Sequence, residues 1–260
     1  MSVTTMPITP KRMPFMGHLN ELRKRLTVVA IVMSVLTLVG YLFSDQIFML
    51  LVAPMRPVIG DQSSYVFDIL EAMVNRFRLG LFGALVVGSP VLIYESLAFF
   101  LPALKPKERR WFVWTFIAAV LLFLAGVAFC YFFVLEPSTE WLVEQSGETF
   151  ELLLRAQSAM TFAMWFLAGF GIAFKVPVVV FYLVYFGVVP YDKLRQNWRV
   201  VWVVIVVVAS MITPDWNPWS MLALSGAMVF LFEASMLLVR IMLAKKIKAQ
   251  KLGVLADDVD

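Results

Sequence analysis

The stretch AQSAMTFAMWFLAGFGIAFKVPVVVFYLVYFGVV, residues 156–189, decides the fold. About 20 apolar residues carry a helix across a hydrocarbon core of roughly 30 Å. This run is too long for one untilted crossing, and Lys175 and Pro177 interrupt it near the middle. Cut into two spans, it would move the basic loops that follow to the other side of the membrane. Kept whole, it is one long helix kinked at Pro177 with an end projecting into water.

Outward from it, the same criterion marks five further segments. They run from about Leu26 to Phe43, Leu79 to Phe100, Trp111 to Leu135, Val200 to Ile212 and Trp216 to Val239. The stretch from 156 to 189 is the fourth of six. The fifth is short, with about 13 apolar residues where about 20 are usual. Apolar residues make up 61% of the 260 positions and charged ones 15%, a balance outside the range of water-soluble domains. The expected fold is an all-α membrane protein of six transmembrane helices. Residues 1–25 form a segment ahead of the spans that includes a short amphipathic helix, 26–243 the transmembrane domain, and 244–260 a polar tail expected to be disordered. The first span follows too polar a leader and is too long for a cleaved signal peptide, so it is expected to stay. Cys130 is the single cysteine, which excludes an intrachain disulfide. The two halves share too little to define an inverted repeat.

Lys and Arg set the orientation, because cytoplasmic loops retain them. Of 22 basic residues, 17 fall in the N-terminal segment, the 2–3 loop, the 4–5 loop and the C-terminal end. The opposite side has Arg56, Arg76, Arg78 and Arg155, and Lys175 alone lies within a span. Both termini are therefore expected in the cytoplasm. The acids Glu136, Glu140, Glu144, Glu148 and Glu151 crowd the 3–4 loop on the far side, with Asp45, Asp61, Asp68 and Glu71 in the 1–2 loop.

Covalent chemistry finds little support. A single histidine, His18, outside the spans excludes a multi-histidine metal site, and there is no Gly-rich phosphate loop or GxSxG elbow. No cofactor, metal or catalytic residue is expected. Asp68 and Glu71 read as solvated charges at a helix start. Ionisable residues inside spans cost roughly 2.5–3.5 kcal/mol on insertion scales, which singles out Lys175 and Glu233, with Glu95 expected to snorkel to the interface. Lys175 is expected to pair with Glu233 or with an acid on a partner helix. The alternative to a binding role is a proton-coupled secondary transporter of a small solute using Lys175 and Glu233.

HLNELRKRL, residues 18–26, precedes the first span. Leu19, Leu22 and Leu26 lie at helical spacing, and Glu21 lies opposite them. A pair with Lys24 or Arg25 in the same helix would be worth only about 0.2–0.5 kcal/mol. Glu108 is a second isolated acid among bases, in KPKERR. Two such carboxylates can instead receive guanidinium groups from a partner, each bidentate contact being worth roughly 1.5–3 kcal/mol.

Taken together, HLNELRKRL, APM (53–55), SPVLIYESLAFFLPAL leading to KERR, FGIAFKVPV, ITPD and FLFE resemble TatC, the multi-span component of the twin-arginine protein translocase. The resemblance covers about 220 residues in family order. It implies six helices in a cup with short fifth and sixth spans, both ends cytoplasmic, in the bacterial inner membrane. It also implies binding of twin-arginine signal peptides of folded cargo at the cytoplasmic face, assembly with single-span TatA- and TatB-type subunits and further copies of itself, and transport driven by the proton-motive force. By position the signal-binding residues would be Glu21 and Glu108 with Arg23 and Phe100 near them, and Pro54 and Asp215 would lie in the non-cytoplasmic loops. Three positions depart from the family pattern: Lys175 stands where a glutamate is usual, Ser225 where a proline is, and Trp219 where a glutamine is. The last two fall where a TatA or TatB helix is normally received.

Overall fold

The computed structural model describes residues 15–59, 69–100, 111–146, 155–185, 188–213 and 217–242. These residues form helices and short connections, and there is no strand among them. Helix α1, Phe15–Leu42, carries HLNELRKRL into the first apolar run as one helix with no break near residue 25. Leu19, Leu22 and Leu26 are exposed on its outer side. Helix α2, Ser44–Val52, leads through a 3-10 turn at Ala53–Met55 into α3, Arg56–Ile59. Pro54 sits early in that turn, where its missing N–H is not needed.

The stretch expected as the second span departs from expectation. Its helices begin at Ile69, ten residues before Leu79, and are α4, Ile69–Val87, and α5, Ser89–Phe100, bent by 57° relative to each other. Pro90, one residue past the start of α5, offers no N–H to the preceding turn, and the Ser89 hydroxyl donates instead to the Val86 carbonyl at 2.7 Å.

Helix α6, Trp111–Phe129, continues through a π-helical turn at Cys130–Val134 into α7, Leu135–Ser146. Pro137 explains the wide turn, since its ring crowds the carbonyl of Phe133 four residues back. Glu136, Glu140 and Glu144, expected in a loop, are instead an exposed stripe on α7.

Residues 156–185 form one apolar stretch long enough to cross a membrane, with a break between α8, Ala156–Ala173, and α9, Val176–Tyr185. The break falls at Phe174 and Lys175 and not at Pro177, which occupies the first turn of α9. A proline disturbs the turn before it: residue 177 has no N–H for the carbonyl of Ala173, so the ladder opens upstream. Helices α10, Tyr191–Gln196, α11, Trp198–Ile212, and α12, Pro218–Met242, complete the chain. Pro218 opens α12, and the Asn217 side chain accepts the Trp219 N–H at 2.9 Å, so proline and cap together start the helix.

The core centres on α8. Met160, Ala163, Phe166 and Phe170 are almost fully enclosed and pack with Leu224, Met228, Phe232 and Met236 of α12, Leu51 and Met55 beside the first turn, and Val134 and Leu135. Helix α1 stands at the edge, against α4 and α5. Among the described residues four helices are long and apolar enough to cross a membrane, a fifth crossing arises if the bent α4–α5 pair is one span, and α11 is a shorter apolar helix.

Candidate functional site

The candidate site lies where the first three turns of α1 meet α5. Helical spacing puts Glu21 and Arg25 one turn apart, and Arg25 bonds Glu21 through Nη2 at 2.7 Å and Nε at 3.2 Å. The same guanidinium donates through Nη1 to Glu95 of α5 at 2.8 Å. Glu95 therefore does not simply snorkel to the interface: it faces α1 and shares Arg25 with Glu21. The three side chains keep 21%, 23% and 15% of their surface exposed for Glu21, Arg25 and Glu95, which leaves the cluster desolvated on one side and reachable on the other. Oε2 of Glu21 is buried and has no hydrogen-bond partner among the described residues. Asn20, Arg23, Lys24, Thr27, Val28 and Tyr94 complete an open groove of about 1150 Å³. Tyr94 is fixed edge-on against Phe112 and Phe116 of α6, with ring centroids 5.8 and 5.9 Å away. The arrangement can hold planar, bidentate cations.

The remaining expected site residues are spread over the molecule. Arg23 is exposed and lines the groove. Phe100 ends α5. Glu108 and Asp215 lie outside the described residues, as do residues 1–14 and the tail from 243. Pro54 is half-buried in the turn between α2 and α3. Lys175 and Glu233 are not paired with each other. Glu233 accepts from Arg195 of α10 at 2.9 Å. Lys175 instead stands 5.0 Å from the centre of the Phe123 ring, and no carboxylate pairs with it among the described residues.

Sequence reading missed a second charge pair. Arg155, at the start of α8, donates to Glu71, in the first turn of α4, through Nε at 3.0 Å and Nη2 at 3.1 Å. The Glu71 side chain is 4% exposed, so it is not a solvated helix-start charge. Nothing in the local pattern signals this, because the partners are 84 residues apart. Glu95 was legible as an acid inside a span, and its link to Arg25 needed the third dimension. Among the described residues no three His, Cys, Asp or Glu side chains converge as metal ligands.

Apolar helices long enough to cross a membrane, packed around an enclosed core, define a multi-span membrane protein. The family model described as Sec-independent protein translocase protein (TatC) matches residues 17–226, and the chain belongs to the TatC family. It is accordingly a subunit of the twin-arginine protein translocase and not an enzyme. Among its relatives, the TatC protein of Escherichia coli K12 is 30% identical over 233 residues, covering 89% of this chain and 90% of that one. The TatC protein of Carboxydothermus hydrogenoformans is 25% identical over 242 residues, covering 93% and 98%. A crystal structure described as the twin arginine translocase receptor TatC, in DDM, superposes with a TM-score of 0.72 at 26% identity, covering 85% of this chain and 98% of that one.

Proposed function

We propose that this chain is the signal-peptide receptor of the translocase, residing in a bacterial cytoplasmic membrane with both termini in the cytoplasm. Its six spans are α1, the bent α4–α5 pair, α6 with α7, α8 with α9, the short α11, and α12. The groove between α1 and α5 receives the paired arginines of a folded cargo's signal peptide, with Glu21 and Glu108 as the principal acids and Arg23 and Phe100 beside them. The observation that carries this reading is that a guanidinium, that of Arg25, already sits between two carboxylates in the groove. Pro54 and Asp215 shape the non-cytoplasmic loops that complete the cup. TatA- and TatB-type subunits and further copies of this chain assemble around it, and the proton-motive force drives transport.

At 15 residues, α11 spans about 22 Å at 1.5 Å per residue, short of a core of roughly 30 Å, and the thinned bilayer beside it is where passage is easiest. Partner docking also bears the mark of the family departures. Lys175, a half-buried cation against Phe123, calls for an acid on a partner helix, and Trp219, 56% exposed, offers that helix an apolar contact. The test is site-specific photocrosslinking from Asn20 and Tyr94, which border the groove, with a twin-arginine and a twin-lysine signal peptide. Capture of the arginine peptide alone is expected, lost in Glu21→Ala and Glu108→Ala while the protein stays folded. Equal labelling of both peptides overturns the assignment.

A further inference from the structure

We infer that Arg25 is a resident competitor for the signal-peptide site, and that Glu95 is a further carboxylate of that site: an incoming arginine binds by replacing Arg25 between Glu21 and Glu95. The inference rests on the receptor reading and says how that receptor selects. Three donors of one guanidinium are spent on two carboxylates, Glu21 of its own helix and Glu95 of α5, so Arg25 already makes the contacts a peptide arginine would make. All three groups border an open groove, which lets a ligand reach them from solvent.

Charge argues for exchange over simple addition. The described residues lining the groove include two acids, Glu21 and Glu95, and three bases, Arg23, Lys24 and Arg25. Two further cations joining these three bases and two acids would raise the net charge of the described lining from +1 to +3, and that repulsion disfavours simple addition. Departure of Arg25 on its own is also disfavoured, because it strands two partly desolvated carboxylates, one of which already has a buried oxygen without a partner. Exchange avoids both penalties, since each carboxylate keeps a guanidinium throughout and the released Arg25 head enters the groove's water.

Selectivity follows from the same step. A guanidinium offers a planar fork that serves two carboxylates at once, whereas an ammonium is a compact point charge without that fork. A peptide lysine must displace a better-matched rival and fails, so Arg25 acts against the wrong ligand as well as on the right one.

The experiment uses the full chain in lipid nanodiscs and fluorescent twin-arginine and twin-lysine signal peptides, with the dissociation constant of each measured for the wild type, Arg25→Gln, Arg25→Lys and Glu95→Gln. Removing the rival in Arg25→Gln is expected to tighten the arginine peptide about tenfold and the lysine peptide by more, so the preference for arginine shrinks. Arg25→Lys keeps the charge and loses the fork, and its preference shrinks as well, which covers the case in which the glutamine variant does not fold. Glu95→Gln is expected to weaken the arginine peptide about tenfold. If the wild type prefers arginine and that preference is unchanged in both Arg25 variants, or if folded Arg25→Gln binds the arginine peptide more weakly, exchange is wrong while the receptor stands. A wild type that binds both peptides equally removes the receptor reading and the exchange together.

Discussion

Arg155 and Glu71 show how much one charge depends on its surroundings. The Glu71 carboxylate has 4% of its side chain exposed and takes two parallel hydrogen bonds from Arg155, the geometry that suits a guanidinium best. Asp45 and Arg76 form the opposite case, an ion pair whose side chains are 70% and 50% exposed. Water screens the second pair, and such contacts are worth at most about 1 kcal/mol. Breaking the first leaves a buried charge. We expect Arg155→Ala to destabilise the protein by about 2–4 kcal/mol, Arg155→Lys by less, and Asp45→Asn by under about 1 kcal/mol. Thermal unfolding in detergent checks the order. Adding Glu71→Gln to Arg155→Ala should restore part of the loss, because the stranded charge is then gone. A double variant no better than the single one would show that the charge was not what mattered.

Between elements, α1 meets α4 through backbone. A Cβ placed on Gly40 would lie 2.8 Å from the Gly80 carbonyl oxygen, and one placed on Gly80 would lie 2.7 Å from the Thr37 carbonyl oxygen. Helices with no hydrophobic drive between them gain from such close approach of small residues. Gly80→Ala should therefore push α1 off α4 and cost about 1–3 kcal/mol, whereas Gly226→Ala, with open space around it, should be neutral or stabilise α12 by up to about 1 kcal/mol. The same unfolding assay separates the two, and equal effects would mean the α1–α4 crossing is not tight. Detachment of α1 also carries Glu21 and Arg25 away from Glu95, so Gly80→Ala is expected to weaken peptide capture as well. This contact shows where legibility ends. The spans announced themselves by apolar length, and the bend at Pro90 and the break before Pro177 each have a proline beside them in the sequence. Gly40 and Gly80 carry no mark of their own, because the partner that makes them necessary lies on another helix. The same holds for Glu95 and Arg25: each was visible as a charge, and the 2.8 Å contact between them depends on how α1 lies on α5.

At the scale of the whole molecule the charges divide the chain in two, and the division hinges on residues 156–185. If α8 and α9 cross the membrane once, the acidic stripe of Glu136, Glu140 and Glu144 on α7 and the basic α10, with Lys193 and Arg195, face opposite compartments. If the break at Phe174 and Lys175 were instead a hairpin between two crossings, both would face the same one. Positive charge favours the first arrangement, since it puts Lys193, Arg195 and Arg199 on the same side as the bases of the N-terminal segment and the 2–3 loop. Cys130 provides a clean background for the measurement because it is fully buried and stays silent to a polar maleimide. With the membrane-impermeant reagent applied to intact cells, Glu140→Cys is expected to label at once, and Lys193→Cys only after the membrane is opened. The reverse pattern would invert the orientation and take the groove of Glu21 and Glu95 away from newly made cargo. Immediate labelling at both positions would mean that the chain turns back at the break at Lys175 and would end the six-span arrangement. A single crossing would leave Lys175 within the bilayer, where no carboxylate among the described residues pairs with it and an acid on a partner helix can supply its counter-charge.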